Sequence, residues 1–392
     1  MLAGVMDPEL HASIVDLGMV DDVGVEPNGD VVVNIALTTL GCPLRAEIKK
    51  EVQSKVRGLP GVAEVDVHYV EMTQEQRTAA MQAARWNAHE NAPTTEIAAT
   101  TRVLAIASGK GGVGKSSVTV NLAAALASRG LTVGILDADI WGFSVPRMLG
   151  VEGRLSGEDG KIHPNHLPVP RAATAASDNP DADGSIEVVS MGFLVDDEST
   201  ALMWRGLILT KALEQFLTDV RWGELDYLLV DMPPGTGDVQ MGLARLLPQT
   251  EMLVVTTPAL AAQRVATRVA DMARRSYLKI VGVVENMSEF VAPDGQHFPV
   301  FGSGGGAALA AEIGAPLVAS IPLEPALSEG SDEGTPVAWA HPDSPAAVAF
   351  HHLAAQIVLE LLPPVEMAGC TARIFELATA NLAELDAARA QS

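Results

Sequence analysis

The sequence predicts an α/β chain: a doubly wound, mostly parallel sheet with helices between its strands, preceded by a small α+β domain. Three observations predict it. From Arg102 onward, continuous β-branched and aliphatic runs alternate with helical stretches, as in strands buried on both faces of a parallel sheet. The first run leads into a glycine-rich loop, SGKGGVGKSS at 108–117, that opens a helix. Before Arg102 the pattern differs, with short strands flanking an Asn-Gly turn.

The elements follow in order. Asp7-Pro8 starts a first helix over Glu9–Ile14. Met19–Val25 and Val31–Leu37 pair across the turn Pro27-Asn28-Gly29-Asp30. A helix covers Arg45–Arg57, and after Leu59-Pro60-Gly61 the alternating run Val62–Val70 forms a last strand. This α-β-β-α-β order makes residues 1–72 one small domain. Residues 73–101 read either as a linker or as a packed helix, Gln74–Glu90, followed by the linker NAPTTEIAATT.

Residues 102–362 carry strands at 103–108, 132–139, 186–192, 227–233, 252–258, 280–287 and 316–322. Helices at Ser116–Arg129, Gly206–Phe216, Gln240–Leu246 and Ala262–Ser276 fall between them. Residues 153–185, rich in Pro, Gly, Asp and His, read as a surface excursion. The tail, 363–392, reads as helical over Ala372–Arg389.

Composition narrows the function. The 392 residues are 48% hydrophobic and only 4% aromatic, so the core is aliphatic. A net charge of −23 argues against general binding to nucleic acid or an anionic membrane, both of which need a basic face. Two cysteines far apart, Cys42 and Cys370, form no disulfide framework and point to a reducing compartment. No long uncharged apolar run and no basic-then-apolar leader are present, so the chain reads as cytoplasmic.

The loop at 108–117 fits G-x-x-x-x-G-K-[ST] with Gly109, Gly114, Lys115 and Ser116. Glycines let backbone N–H groups of residues such as Lys110, Gly111, Gly112, Val113 and Ser117 converge on phosphate without a Cβ in the way. The following helix adds its positive end. Lys115 should reach the β/γ-phosphates of ATP and the Ser116 hydroxyl should bind Mg²⁺. Residues 102–362 thus read as a P-loop NTPase domain. Asp137, Asp139 and Asp231 end strands beside this loop, where Mg²⁺ or an attacking water needs a carboxylate. Asp231 reads as the Mg²⁺ aspartate, while Asp137 either supports the ion indirectly or is structural. In PPGTGD, Gly235 and Gly237 permit movement, and Asp238 either senses the γ-phosphate or caps the next helix.

The form KGGVGKS resembles the deviant Walker A loop of the MinD, ArsA and nitrogenase iron-protein ATPases. That resemblance implies a homodimer holding two ATP molecules, with Lys110 reaching the partner's nucleotide and Asp139 orienting the hydrolytic water. On the residues alone, Lys110 is equally a solvent-facing charge. LDADIWGFSVPRMLG, VDMPPGTGDVQM, VENMS and FGSGGG resemble the Mrp/ApbC branch, the iron–sulfur cluster carrier ATPases. MDPEL, IVDLGMV and LTTLGCPL resemble the metal–sulfur cluster assembly domain often fused in front of it. The resemblance implies ATP and Mg²⁺ as cofactors, Asn286 at the adenine, and iron–sulfur apoproteins or assembly factors as partners.

One segment departs from that branch. Many members carry C-x-x-C after VENMS, through which two subunits share a cluster. Here FVAPDGQHF puts Ala292 and Asp294-Gly295 in place of the cysteines. Asp294 and His297 do not normally substitute for soft thiolates, and His297 also reads as a plain surface residue. FGSGGG reads as a flexible turn back to the core. Cys42, ahead of a helix where its thiolate is favoured, becomes the candidate cluster ligand, or else an inert half-buried residue. Cys370 reads as incidental. Two functions follow: a cluster carrier, or an ATPase switch and adaptor that never holds iron. A MinD-like membrane-positioning role lacks the expected basic amphipathic tail.

Overall fold

In a computed structural model the chain divides into two compact units, Met1–Ala92 and Pro93–Ser392. The structure describes residues 1–7, 12–37, 45–73, 75–77, 79–80, 83, 94–140, 142–152, 155–158, 160–170, 173, 183–194, 206–235, 238–276, 278–292 and 296–365.

In the first unit, β1 (Val20–Val25) and β2 (Val31–Leu37) are antiparallel. Their turn places Gly29 at φ 90°, and the Asn28 side chain accepts from the Asp30 N–H at 3.1 Å. Helix α1 (Arg45–Arg57) buries Ile48, Val52 and Val56, four residues apart on one face. It carries the chain back so that β3 (Val65–Glu71) pairs parallel to β2. The strand starts at Val65 rather than Val62 because the preceding turn persists, with Val62 N–H on the Leu59 carbonyl and Ala63 N–H on Gly29.

The helix expected over Glu9–Ile14 is not formed at its described end. Ser13 bridges to Met6, Asp7 N–H donates to Ala12 and Ile14 N–H to Val5. This folded-back loop buries Val5, Ile14 and Leu17. Thr73 and Gln76 cap each other reciprocally, and residues 75–77 and 79–80 are helical. Most of the expected helix Gln74–Glu90 lies outside the described residues, as does the stretch Ala372–Arg389.

The second unit begins with β4 (Arg102–Ser108), α2 (Lys115–Ala127), β5 (Thr132–Asp137) and α3 (Val145–Met148). Then come β6 (Ser156–Glu158), β7 (Lys161–His163), β8 (Asn165–Pro168), β9 (Ser185–Ser190), α4 (Gly206–Thr218) and β10 (Tyr227–Asp231). After these run α5 (Asp238–Leu246), β11 (Glu251–Thr256), α6 (Leu260–Arg275), β12 (Lys279–Val291) and β13 (His297–Phe298). The chain continues through α7 (Gly305–Ile313), β14 (Leu317–Leu323), α8 (Pro325–Glu333), α9 (Val337–Ala340) and α10 (Pro345–Gln356).

Strands β9, β5, β10, β4, β11, β12 and β14 lie side by side and parallel. β8 and β13 add antiparallel margins. Residues of α2, α9 and α10, including Leu122, Trp339 and Phe350, fill the core on one face. Residues of α4 to α7, including Phe216, Leu243, Val269 and Leu309, fill the other. The described part of the excursion at 153–185 contains regular structure. β6 and β7 form a hairpin, and β8 joins the sheet against β9 while Leu167 packs on the core. FGSGGG is not only a turn. Gly304, at φ 74°, precedes α7, and the Gly306 N–H donates to the Glu285 carboxylate at the end of the expected strand.

β10 and β11 are successive strands, yet they lie on opposite sides of β4. The crevice at the strand C-termini therefore opens where β4 delivers the glycine-rich loop.

Candidate functional site

The loop between β4 and α2 is shaped by three glycines. Gly112 and Gly114 sit at φ 79° and 78°, a region that favours glycine. Gly109 lies so close to the backbone of Val265 and Ala266 on α6 that a Cβ would collide with it. A Cβ at Gly114 would meet the Asn286 amide, which donates to the Val113 carbonyl at 2.9 Å. Asn286 is therefore a prop of the loop, buried at 1% exposure. The next residue, Met287, takes φ 54°, unusual for a side chain with a Cβ.

Behind the loop the ionic groups interlock. The Lys115 ammonium lies 2.7 Å from Asp231 Oδ1 and 3.7 Å from Asp139 Oδ2. Ser116 donates to Asp231 Oδ2 at 2.6 Å, and Thr119 lies 2.9 Å from Oδ1. Asp231 and Asp137 occupy opposing register positions on β10 and β5. The Asp139 N–H donates to Asp137 Oδ1 at 3.2 Å, and Ser190 donates to Oδ2 at 3.0 Å. Burial, and then the neighbouring Asp231 charge, push the Asp137 carboxyl up to about 7, against the opposing pull of Lys115 and the Ser190 and Asp139 donors.

The fold thus brings the buried Lys115, Asp137, Asp139 and Asp231 together with the half-buried Ser116, while Asn286 holds the loop at Val113. Ser117 stays on α2, its carbonyl bound by Asn121 at 2.9 Å. Lys110 is exposed, and its side chain makes no hydrogen bond or ion pair among the described residues. After β10, Gly235 takes φ 91°, and Gln240 clamps the turn by donating to the Pro233 and Gly235 carbonyls. Gly237, the Asp238 side chain, Cys42, Asp294 and Cys370 lie outside the described residues.

Sequence reasoning missed Thr119 and Ser190. Both carried a signal. Thr119 is four residues after Lys115, on the same helix face, and Ser190 ends an apolar strand just as Asp137 and Asp231 do.

The other flagged loop is different. β12 runs on to Val291 and turns into a short hairpin with β13. His297 pairs with Glu289 at 3.0 Å, and both are substantially exposed. Among the described residues no group of three or more His, Cys, Asp or Glu side chains is arranged to hold a metal alone.

Comparison with known proteins then fits the geometry. Residues 99–358 match the family described as NUBPL iron-transfer P-loop NTPase. The chain belongs to that family. Residues 1–67 match a second one, described as iron-sulfur cluster assembly protein. An iron-sulfur cluster carrier protein of Mycobacterium leprae is 45% identical over 88% of this chain and 87% of its own. One from Synechocystis is 39% identical over 91% of this chain and 95% of its own. Among solved structures, a nucleotide-binding protein from Archaeoglobus fulgidus in complex with ADP is 35% identical, covering 59% of this chain and 86% of that one at a TM-score of 0.49. No helix among the described residues is long and apolar enough to cross a membrane.

Proposed function

We propose that the chain is an Mg-ATP-dependent iron–sulfur cluster carrier or assembly factor, working as a homodimer that delivers clusters to apoproteins. One observation carries this reading. A P-loop cluster of Lys115, Ser116, Asp139 and Asp231 sits in a chain that matches carrier proteins across both its units.

The amides of Gly109 to Ser117 hold the phosphates, with the positive end of α2 behind them. Lys115 turns from Asp231 to the β/γ-phosphates, and Asp139 orients the water that attacks the γ-phosphorus as ADP leaves. The donor set suits Mg²⁺. A hydroxyl and a carboxylate, Ser116 and Asp231, already meet at 2.6 Å, and this ion takes hard oxygens from one or two side chains plus phosphates and water. When bound, Mg²⁺ neutralises charge developing on the phosphate oxygens. Asn286 spends one N–H on the Val113 carbonyl, and its amide has a second N–H and an oxygen with which to meet an adenine edge. Lys110, exposed and without a side-chain partner among the described residues, reaches a partner's nucleotide.

The cargo is a separate question from the engine. Cys42 is the proposed thiolate for a cluster. The alternative is an ATPase adaptor without iron, favoured by a segment that has Ala292 and Asp294-Gly295 where the thiolates are expected. The test is anaerobic reconstitution with iron and sulfide, counting iron per dimer in the wild type and in Cys42→Ala. Cluster retention that depends on Cys42 supports the carrier. Wild type that hydrolyses ATP yet retains no more iron than Cys42→Ala leaves the adaptor.

A further inference from the structure

We infer that Ser190 is a positioning residue for the nucleotide site, fixing Asp137 and, through it, the backbone at Asp139. The inference rests on the ATPase reading above. Ser190 ends β9 opposite Asp137, and Asp137 lies opposite Asp231 on the next strand. The three residues form a row across the C-terminal ends of β9, β5 and β10, and none is exposed to solvent.

The row is asymmetric. Asp231 gives both oxygens to α2, Oδ1 to Lys115 and Thr119 and Oδ2 to Ser116. Asp137 gives neither oxygen to that helix in any hydrogen bond of the described residues. Its Oδ2 accepts from Ser190 and its Oδ1 from the Asp139 N–H. The Ser190 hydroxyl has one proton, directed at Asp137, and its oxygen accepts from the Gly192 N–H at 3.0 Å. The rotor is held at both ends. Two carboxylates on adjacent strands repel, and the Ser190 donor decides which way Asp137 turns. Asp137 then serves the chain at Asp139 and leaves Lys115 and Ser116 to Asp231. Asp139 is the group whose placement against the γ-phosphate governs turnover, so a loosened anchor costs rate more than affinity.

The test compares Ser190→Ala and Ser190→Thr in the full chain. Expected for Ser190→Ala is a fall in kcat of about tenfold. The KM for ATP, the affinity for a fluorescent ADP analogue and the Mg²⁺ midpoint should stay within about twofold. Ser190→Thr keeps the hydroxyl and should recover most of the rate. Because threonine's extra methyl can disturb packing, Ser190→Ala is also combined with Asp137→Asn. If both act through one chain of bonds, the double variant is no slower than Asp137→Asn alone.

Wild-type kcat in Ser190→Ala, a loss confined to the Mg²⁺ midpoint, or fully multiplicative effects in the double variant each overturn the inference. Lys115→Ala serves as the control. If it still hydrolyses ATP, the ATPase reading has failed. If it is inactive while Ser190→Ala turns over normally, only the role of Ser190 has failed.

Discussion

Two loops leave the same end of the parallel sheet, and they differ in what their side chains are bound to. The β4–α2 loop lies over a cluster in which Lys115, Asp137, Asp139 and Asp231 are each at most 7% exposed and linked by hydrogen bonds or ion pairs. The β12–β13 hairpin carries, among its described residues, the exposed ion pair His297–Glu289 and a tilted contact between the Phe290 and Phe298 rings. It leaves Phe298, Val300 and Phe301 at 43–57% exposure. Groups held by several partners start close to the positions that chemistry needs. Groups on an open hairpin contribute surface. The difference teaches that ATP chemistry and cluster binding, joined in the resemblance to cluster carriers, rest here on separate physical grounds.

The sharpest break of this comparison is Lys115→Ala or Asp139→Ala. Each should lower ATP hydrolysis by at least about a hundredfold, since on the proposed mechanism each removes a charge that acts at the γ-phosphate. Phosphate release measured at saturating Mg-ATP checks it, and near-normal turnover in both would falsify the enzymatic role. Next comes Gly114→Ala, which forces a Cβ into the Asn286 amide at φ 78°. It should cost about 1–3 kcal/mol in stability and weaken nucleotide binding, read by thermal unfolding and a fluorescent nucleotide titration. On the hairpin, His297→Ala should leave ATP turnover within about twofold and stability within about 0.5 kcal/mol, as for other exposed sites. A large effect there would show that the hairpin shares the engine.

The smallest effect lies away from both loops. Burial, more than the nearby Arg129 and His352, holds His351 below the usual histidine range, while its bond to the Ala338 carbonyl acts the other way. The unfolded chain therefore binds this proton more readily than the folded one. Stability from His351 is present above about pH 6.5 and is lost as pH falls toward its folded value. Urea midpoints at neutral and mildly acidic pH should fall less in His351→Gln than in wild type.

Much of the site was legible before any coordinates. Lys115 and Ser116 are bound to a motif whose spacing states their task, and Asp137 and Asp231 end apolar runs where a parallel sheet delivers side chains to a crevice. Thr119 and Ser190 were less legible because a hydroxyl is unremarkable until a buried carboxylate is found beside it. At residues 12–14, the described end of the expected first helix, the outcome differs for a related reason. Asp7-Pro8 is a local start signal, but at that end Ser13 bridges to Met6 and Val5, Ile14 and Leu17 are buried.

The sequence by itself determined the class of fold, the position of the phosphate loop and the absence of cysteines from FVAPDGQHF, because these are properties of residue order and period. Only the tertiary structure decided that Asn286 props that loop, that FGSGGG starts a helix, and that Asp137 and Asp231 turn their oxygens in different directions. Those outcomes depend on contacts between residues 21 to 173 positions apart, and no local pattern encodes them.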